Sequence, residues 1–181
     1  MQAKFENEHC KQGNLEPENI HMTLPLKECI ALGIGNPWIG DDRAGVEVVR
    51  RLSKMGLFVG ISELYTMGTE IMDRLLGYQR AFVVDACHLG AEPGTVHRPC
   101  LEDILIRHAL PSSHAINLGT TLKTGYKLFP EEMPRELNIL LIEVRSCGGF
   151  SKTLSPAAEK GVQKAVQIIA SELKKGPGQT W

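Results

Sequence analysis

The side chains best suited to chemistry in this 181-residue sequence are Asp41, Asp42, Asp85 and His114. Asp41 and Asp42 close the stretch "ALGIGNPWIGDD", in which an apolar run ends in a glycine turn just ahead of a helical pattern. A turn of that kind ordinarily suits an anion, because free amides and the positive end of a helix face it. Two adjacent carboxylates would repel a phosphate there. One of them is accounted for as the cap of the helix that begins at residue 43, and Asp41 is the one we assign to that task. The second is left over, since a helix start needs only one N-cap. Asp85 ends the run "AFVVDA", and His114 sits in "PSSHAINLG" at a loop-to-helix boundary. Each has an ordinary explanation alone: Asp85 bonded to loop amides, His114 simply exposed. Taken together they say more. Two carboxylates converging on one rim repel and lose hydration unless a cation or a proton intervenes. With one imidazole they form a plausible ligand set for a borderline divalent ion such as nickel or zinc, with positions left open.

The elements that must position these groups follow from periodicity. Strands are expected at 28–35, 59–65, 81–86 and 138–144, the first buried and the third central, with a short edge strand at 94–99. Helices are expected at 43–55, 69–77, 114–129 and 155–175. The first puts Ala44, Val48, Val49 and Leu52 on one face; the second is closed by Gly77. The last has Ser155 as N-cap, Pro156 in first position, Glu159 in its first turn and lysines in its last. This alternation predicts a single α/β domain of three layers, α/β/α, with a mostly parallel twisted sheet of about five strands. Ligands of such sheets bind beyond the carboxyl ends of the strands. Asp41 and Asp42 follow the first strand and Asp85 ends the third, so both positions point to the same rim.

Bulk properties narrow the class. The expected organisation is a polar N-terminal extension at 1–26, one domain at 27–175 and a C-terminal tail at 176–181. Twenty basic residues against 21 acidic ones offer no field to draw the chain to nucleic acid or an anionic membrane. No apolar run reaches the roughly 20 residues needed to span a bilayer, and the first 26 residues lack the apolar core of a secretory signal. Five widely spaced cysteines, Cys10, Cys29, Cys87, Cys100 and Cys147, form no CxxC and read as buried reduced thiols. A cytoplasmic protein is expected.

At this point the motifs resemble a known family. "GIGNPWIGDDRAGVEVVRRL" is similar to the N-terminal motif of the [NiFe]-hydrogenase maturation endopeptidases: G-x-G-N, a short apolar stretch, two acids and a glycine before the first helix. "VVDACHLGAEPGTV" resembles their second signature, "SSHAINLG" the segment that opens a later helix, and "SKTLSPAAEKGVQKAVQIIASEL" the closing helix. The resemblance runs over residues 28–173 with the motifs in order. It implies a peptidase that removes a C-terminal extension from a hydrogenase large-subunit precursor after nickel insertion. The family's metal-binding positions fall on Asp42, Asp85 and His114, which would also be the catalytic residues, the nickel being supplied by the precursor. Metal polarisation of the scissile carbonyl and activation of a bound water are both open. Gly35, Asn36, Asp41, Gly68 and His88 are the candidate substrate contacts. Cys87 and His88 read as a packing thiol and a surface imidazole. The implied partner is the precursor, and a monomer is expected. "HAIN" followed by "TLKTGYKLFPEEMP" looks closer to members that serve coenzyme F420-reducing hydrogenases, while "RSCGGFSKTL" and "TMGTEIM" depart from the usual loops.

Three other readings compete. "GIGNP" also resembles the opening of peptidyl-tRNA hydrolases, but "IGDDRAG" stands where their catalytic histidine run would be. A nucleotide- or phosphate-binding module would lack the third glycine of the dinucleotide fingerprint, at Trp38, and would place acids against the pyrophosphate. A chaperone that inspects nickel loading without cutting would keep the same site.

Overall fold

A computed structural model describes residues 27–57, 59–66, 68–106, 113–145 and 150–174, with the backbone alone at 105–106 and 113–117. The expected extension at 1–26 and tail at 176–181 lie outside the described residues. The elements are β1 (Lys27–Ile34), a 3-10 turn (Gly40–Arg43), α1 (Ala44–Ser53), β2 (Gly60–Leu64), α2 (Glu70–Leu75), β3 (Tyr78–Cys87), β4 (Val96–His97), α3 (Leu101–Ile106), α4 (Ser113–Leu128), β5 (Glu136–Glu143) and α5 (Pro156–Lys174).

The five strands form one sheet in the order β2-β1-β3-β5-β4. β1 pairs in parallel with β2 and with β3, and β3 in parallel with β5; β4 alone runs antiparallel, at the edge beside β5. The α/β/α expectation is met. Alternate strand residues feed two cores. Ala31, Phe82, Val84, Leu140 and Ile142 meet α1 and α5 on one face. Ile30, Leu32, Val83 and Leu141 meet α2 and α4 on the other. The predicted apolar face of α1 is fully buried, with Ala44, Val48, Val49 and Leu52 at 0% exposure. Gly45 lets α1 lie close on the sheet: a Cβ there would overlap the carbonyl oxygens of Val84 and Ile34.

Two differences from expectation have physical causes. The short helix α3 follows a proline-containing stretch and offers only six residues of periodicity, too few to register in the sequence pattern. β3 begins three residues earlier than its apolar run, because Tyr78 and Arg80 pair with Lys27 and Cys29 in the ladder despite their polarity. The cysteine expectation also fails in one place. Cys29 and Cys87 are buried, and burial pushes the Cys29 thiol up to about 11; Cys100 is exposed because it lies in the coil that leads into α3. Among the described residues no helix is long and apolar enough to cross a membrane.

Candidate active site

The chain leaves β1 to reach β2 on one side, then crosses over β1 to place β3 on its other side. The crevice between the carboxyl ends of β1 and β3 is therefore the topological switch point, where sheets of this kind bind ligands. Asp42 stands on the connection leaving β1, and Asp85 stands near the end of β3.

Gly35 sets the approach of Asp42. Its φ of 138° lies in a region that side chains avoid, and a Cβ there would overlap the Asp42 carbonyl oxygen. The loop thus folds back on the end of β1. The Asn36 amide donates to Asp42 Oδ2 at 2.7 Å, while Asn36 Oδ1 accepts from the Trp38 amide at 2.9 Å. Gly35 and Asn36, expected as substrate contacts, thereby shape the turn that holds Asp42. Among the described residues the Asp42 carboxylate accepts only that one hydrogen bond.

Asp85 is 2% exposed. Its Oδ1 accepts the Ala86 amide at 2.8 Å. Burial, opposed by that amide and reinforced by the charge of Asp42, pushes its carboxyl up to about 8. The two carboxylates stand at the same edge, Asp42 on the connection leaving β1 and Asp85 near the end of the paired strand β3. A buried carboxylate so shifted, paired with a like charge in a crevice, is the pattern of a functional site.

The side chain of His114 lies outside the described residues. Its backbone belongs to the first turn of α4. The far end of α4 is near the amino edge of the sheet: the Gly77 amide donates to the Glu132 carbonyl, and Gly77 in turn accepts from Lys27 at the start of β1. Sixteen residues of helix span about 24 Å, so α4 opens at the carboxyl edge, the edge at which Asp85 stands.

Contrary to the expectation from the sequence, Asp41 does not cap the first helix. Neither the 3-10 turn nor α1 receives a side-chain cap. The helical backbone runs straight from the turn through Arg43 into α1, and the extended residue that precedes the turn is Ile39, whose side chain has no group able to cap. Asp41 instead reaches across the molecule. It is 7% exposed, and its two oxygens accept from the Ser155 amide at 2.6 Å and the Ser155 hydroxyl at 2.7 Å. Ser155 then caps α5 through the Ala158 amide at 3.2 Å, as its position predicted. Of the aspartate pair, Asp41 braces α5 through Ser155 and Asp42 stands at the switch-point crevice. Gly68 lies in the turn after β2 with open space where a Cβ would be. His88 is exposed immediately after β3.

A second cluster at this edge was not anticipated. Glu143, 1% exposed at the end of β5, accepts the Leu89 and Gly90 amides on Oε1, both at 2.8 Å. Its Oε2 lies 3.1 Å from His97 Nε2 and accepts from the Cys87 thiol at 3.5 Å. Cys87 is therefore not a mere packing thiol. Glu143 ends the apolar run Ile139–Ile142 of β5, the same signal that marked Asp85.

Comparison with known proteins now bears on these positions. Residues 46–172 match the model of one family, HycI, hydrogenase maturation protease. The chain belongs to the hydrogenase maturation protease family. A Methanocaldococcus jannaschii protein assigned as a hydrogenase maturation protease is 29% identical over 167 residues, covering 84% of this chain and all of that one. A solved hydrogenase 2 maturation peptidase from a Thaumarchaeota archaeon is 26% identical, with a TM-score of 0.60 over 81% of this chain and 98% of that one. The hydrogenase maturating endopeptidase HybD of Escherichia coli shares the fold, with 21% identity and a TM-score of 0.68 over 82% of this chain and 93% of that one. Members of the hydrogenase maturation protease family are peptidases, so this chain is a peptidase of hydrogenase maturation. Asp85 and His114 fall within the segment that matches the family model, and Asp42 lies four residues ahead of it.

Proposed function

We propose that this hydrogenase maturation protease removes a C-terminal extension from a [NiFe]-hydrogenase large-subunit precursor after nickel has been installed. In this reading the nickel arrives on the precursor, and Asp42, Asp85 and His114 complete its shell. The observation that carries it is the pair of carboxylates at the switch point, one of them buried and pushed up to about 8. Without a cation, buried Asp85 avoids the cost of a charge beside Asp42 by holding its proton; a cation between the two would stabilise both as carboxylates. The precursor's nickel is then sensed because only a loaded precursor supplies that cation. His88, Gly68 and the turn shaped by Gly35 and Asn36 border the same edge and would meet the precursor chain. Trp38 and Phe150 expose their rings from loops that pair with each other through Ile39 and Phe150, an apolar rim suited to a protein substrate. The likeness of "HAIN…TLKTGYKLFPEEMP" to members serving F420-reducing hydrogenases makes that precursor the first to try. We take the protein to act as a cytoplasmic monomer.

The test is mass spectrometry of a purified large-subunit precursor, loaded with nickel or free of it, incubated with and without this protein. A mass loss confined to the loaded precursor supports the reading. An unchanged mass in precursors of every hydrogenase encoded beside the gene removes the endopeptidase and leaves a chaperone of the same fold.

A further inference from the structure

The reading above makes no use of Cys87, His97 and Glu143, whose ligand atoms all lie within 4.8 Å of one another. A tetrahedral ion with bonds of about 2.0–2.3 Å holds its ligand atoms roughly 3.3–3.8 Å apart. The 3.1 and 3.5 Å separations around Glu143 Oε2 need little adjustment to meet that geometry. A thiolate, an imidazole and a carboxylate together suit a borderline divalent cation.

The surroundings are built to hold these side chains still. The Leu89 and Gly90 amides fix the far carboxylate oxygen of Glu143, the kind of outer support that orients a metal ligand. The backbone of Glu143 is tied on both sides to the preceding loop: its amide donates to the Thr95 carbonyl and its carbonyl accepts from Gly94, each at 2.8 Å. The β4–β5 pairing of His97 with Leu141 seats the imidazole beside it. There is also a way in. Cys87 and Glu143 are buried, whereas the His97 side chain is 26% exposed and lines a cavity of about 240 Å³ with Leu89, Arg98 and Asp103.

We propose that Cys87, His97 and Glu143 form a divalent-metal site for Zn²⁺, separate from the Asp42–Asp85 crevice, with one coordination position open to this cavity. The ion takes the place of the thiol proton, which is released to solvent. It joins the ends of β3, β4 and β5 two residues beyond Asp85, and so stiffens the edge on which the crevice depends. The site stands whether or not the nickel reading holds.

The full chain, stripped of metal by chelation, is titrated with Zn²⁺ and with Co²⁺ as a spectroscopic substitute. Expected are one equivalent bound at micromolar affinity or tighter, and a thiolate-to-cobalt charge-transfer band with tetrahedral d–d absorption. Cys87→Ser should remove the charge-transfer band, His97→Ala should weaken binding at least about tenfold, and Asp42→Asn with Asp85→Asn should leave both unchanged. Absence of stoichiometric uptake overturns the proposal. So does a charge-transfer band that survives Cys87→Ser, or uptake that disappears with the two aspartates. Circular dichroism checks each variant. Should Cys87→Ser fail to fold, the half-buried His97→Ala decides alone: weakened binding with an intact spectrum supports the site, and unchanged binding overturns it.

Discussion

Two buried carboxylates stand on neighbouring strands at one edge of the sheet and are treated in opposite ways. Glu143 receives two amides, an imidazole and a thiol. Asp85 receives the amide of the next residue and, among the described residues, no other hydrogen bond, with the charge of Asp42 nearby. They are close neighbours, for Asp85 pairs with Leu141 and Cys87 with Glu143 in the same ladder. A common depth therefore does not explain the contrast; the local donors do. A carboxylate surrounded by donors consolidates the fold. A carboxylate left with one donor and a like charge destabilises the protein alone, and is kept where a cation or proton from elsewhere compensates it.

Substitutions should separate the two roles. The largest expected effect is on cleavage: Asp42→Asn and Asp85→Asn should each lower the rate of precursor processing on the order of 100-fold or more, with unchanged circular dichroism. Full activity in either would remove that residue from the site. Glu143→Ala should act the other way, leaving two amides and a ring nitrogen without their acceptor and costing roughly 3 kcal/mol of stability, read as a lower urea midpoint at constant slope. Asp41→Ala should cost about 2 kcal/mol, since it strips both Ser155 contacts and loosens the start of α5.

The contrast also has a signature in pH. The folded carboxyl of Asp85 titrates at about 8 against an ordinary 3.8, so the folded state holds this proton more tightly than the unfolded one. Its contribution to stability is fully present below about pH 4 and is lost as pH rises through about 8. Metal-free protein should thus lose stability from pH 5 to 9 relative to Asp85→Asn, in paired urea titrations; parallel curves would show that Asp85 is not strained. The smallest effect is expected far from the edge. Arg51 holds Glu159 through two bonds of 2.7 and 2.8 Å between α1 and α5, drawing the Glu159 carboxyl down to about 2. Both groups are partly exposed, so Glu159→Gln should cost less than ~1 kcal/mol and fade with salt.

How far the sequence could be read differs between these groups. The placement of Asp42 and Asp85 at one edge was legible because each breaks an apolar or glycine-rich pattern at a predictable place, and a parallel sheet brings strand ends to one edge. The layered fold, the helix of residues 156–174 and its Ser155 cap were legible for the same kind of reason: periodicity and capping are local. The partner of Asp41 was not legible. Ser155 lies 114 residues away, and an aspartate before a helix carries the same local signature whether it caps that helix or braces another. The Glu143 cluster was missed because its three members lie on different strands, and each alone reads as a core thiol, a surface histidine or a strand-end acid.

The amino-acid sequence by itself determined the alternation of strands and helices and the standing of Asp42 and Asp85 at the carboxyl edge of the sheet, because periodicity, turn chemistry and strand polarity act within a few residues. Only the tertiary structure decided what Asp41 holds and which buried carboxylate is satisfied. Those outcomes depend on donors contributed by segments far apart in the chain, and on the loss of water where they meet.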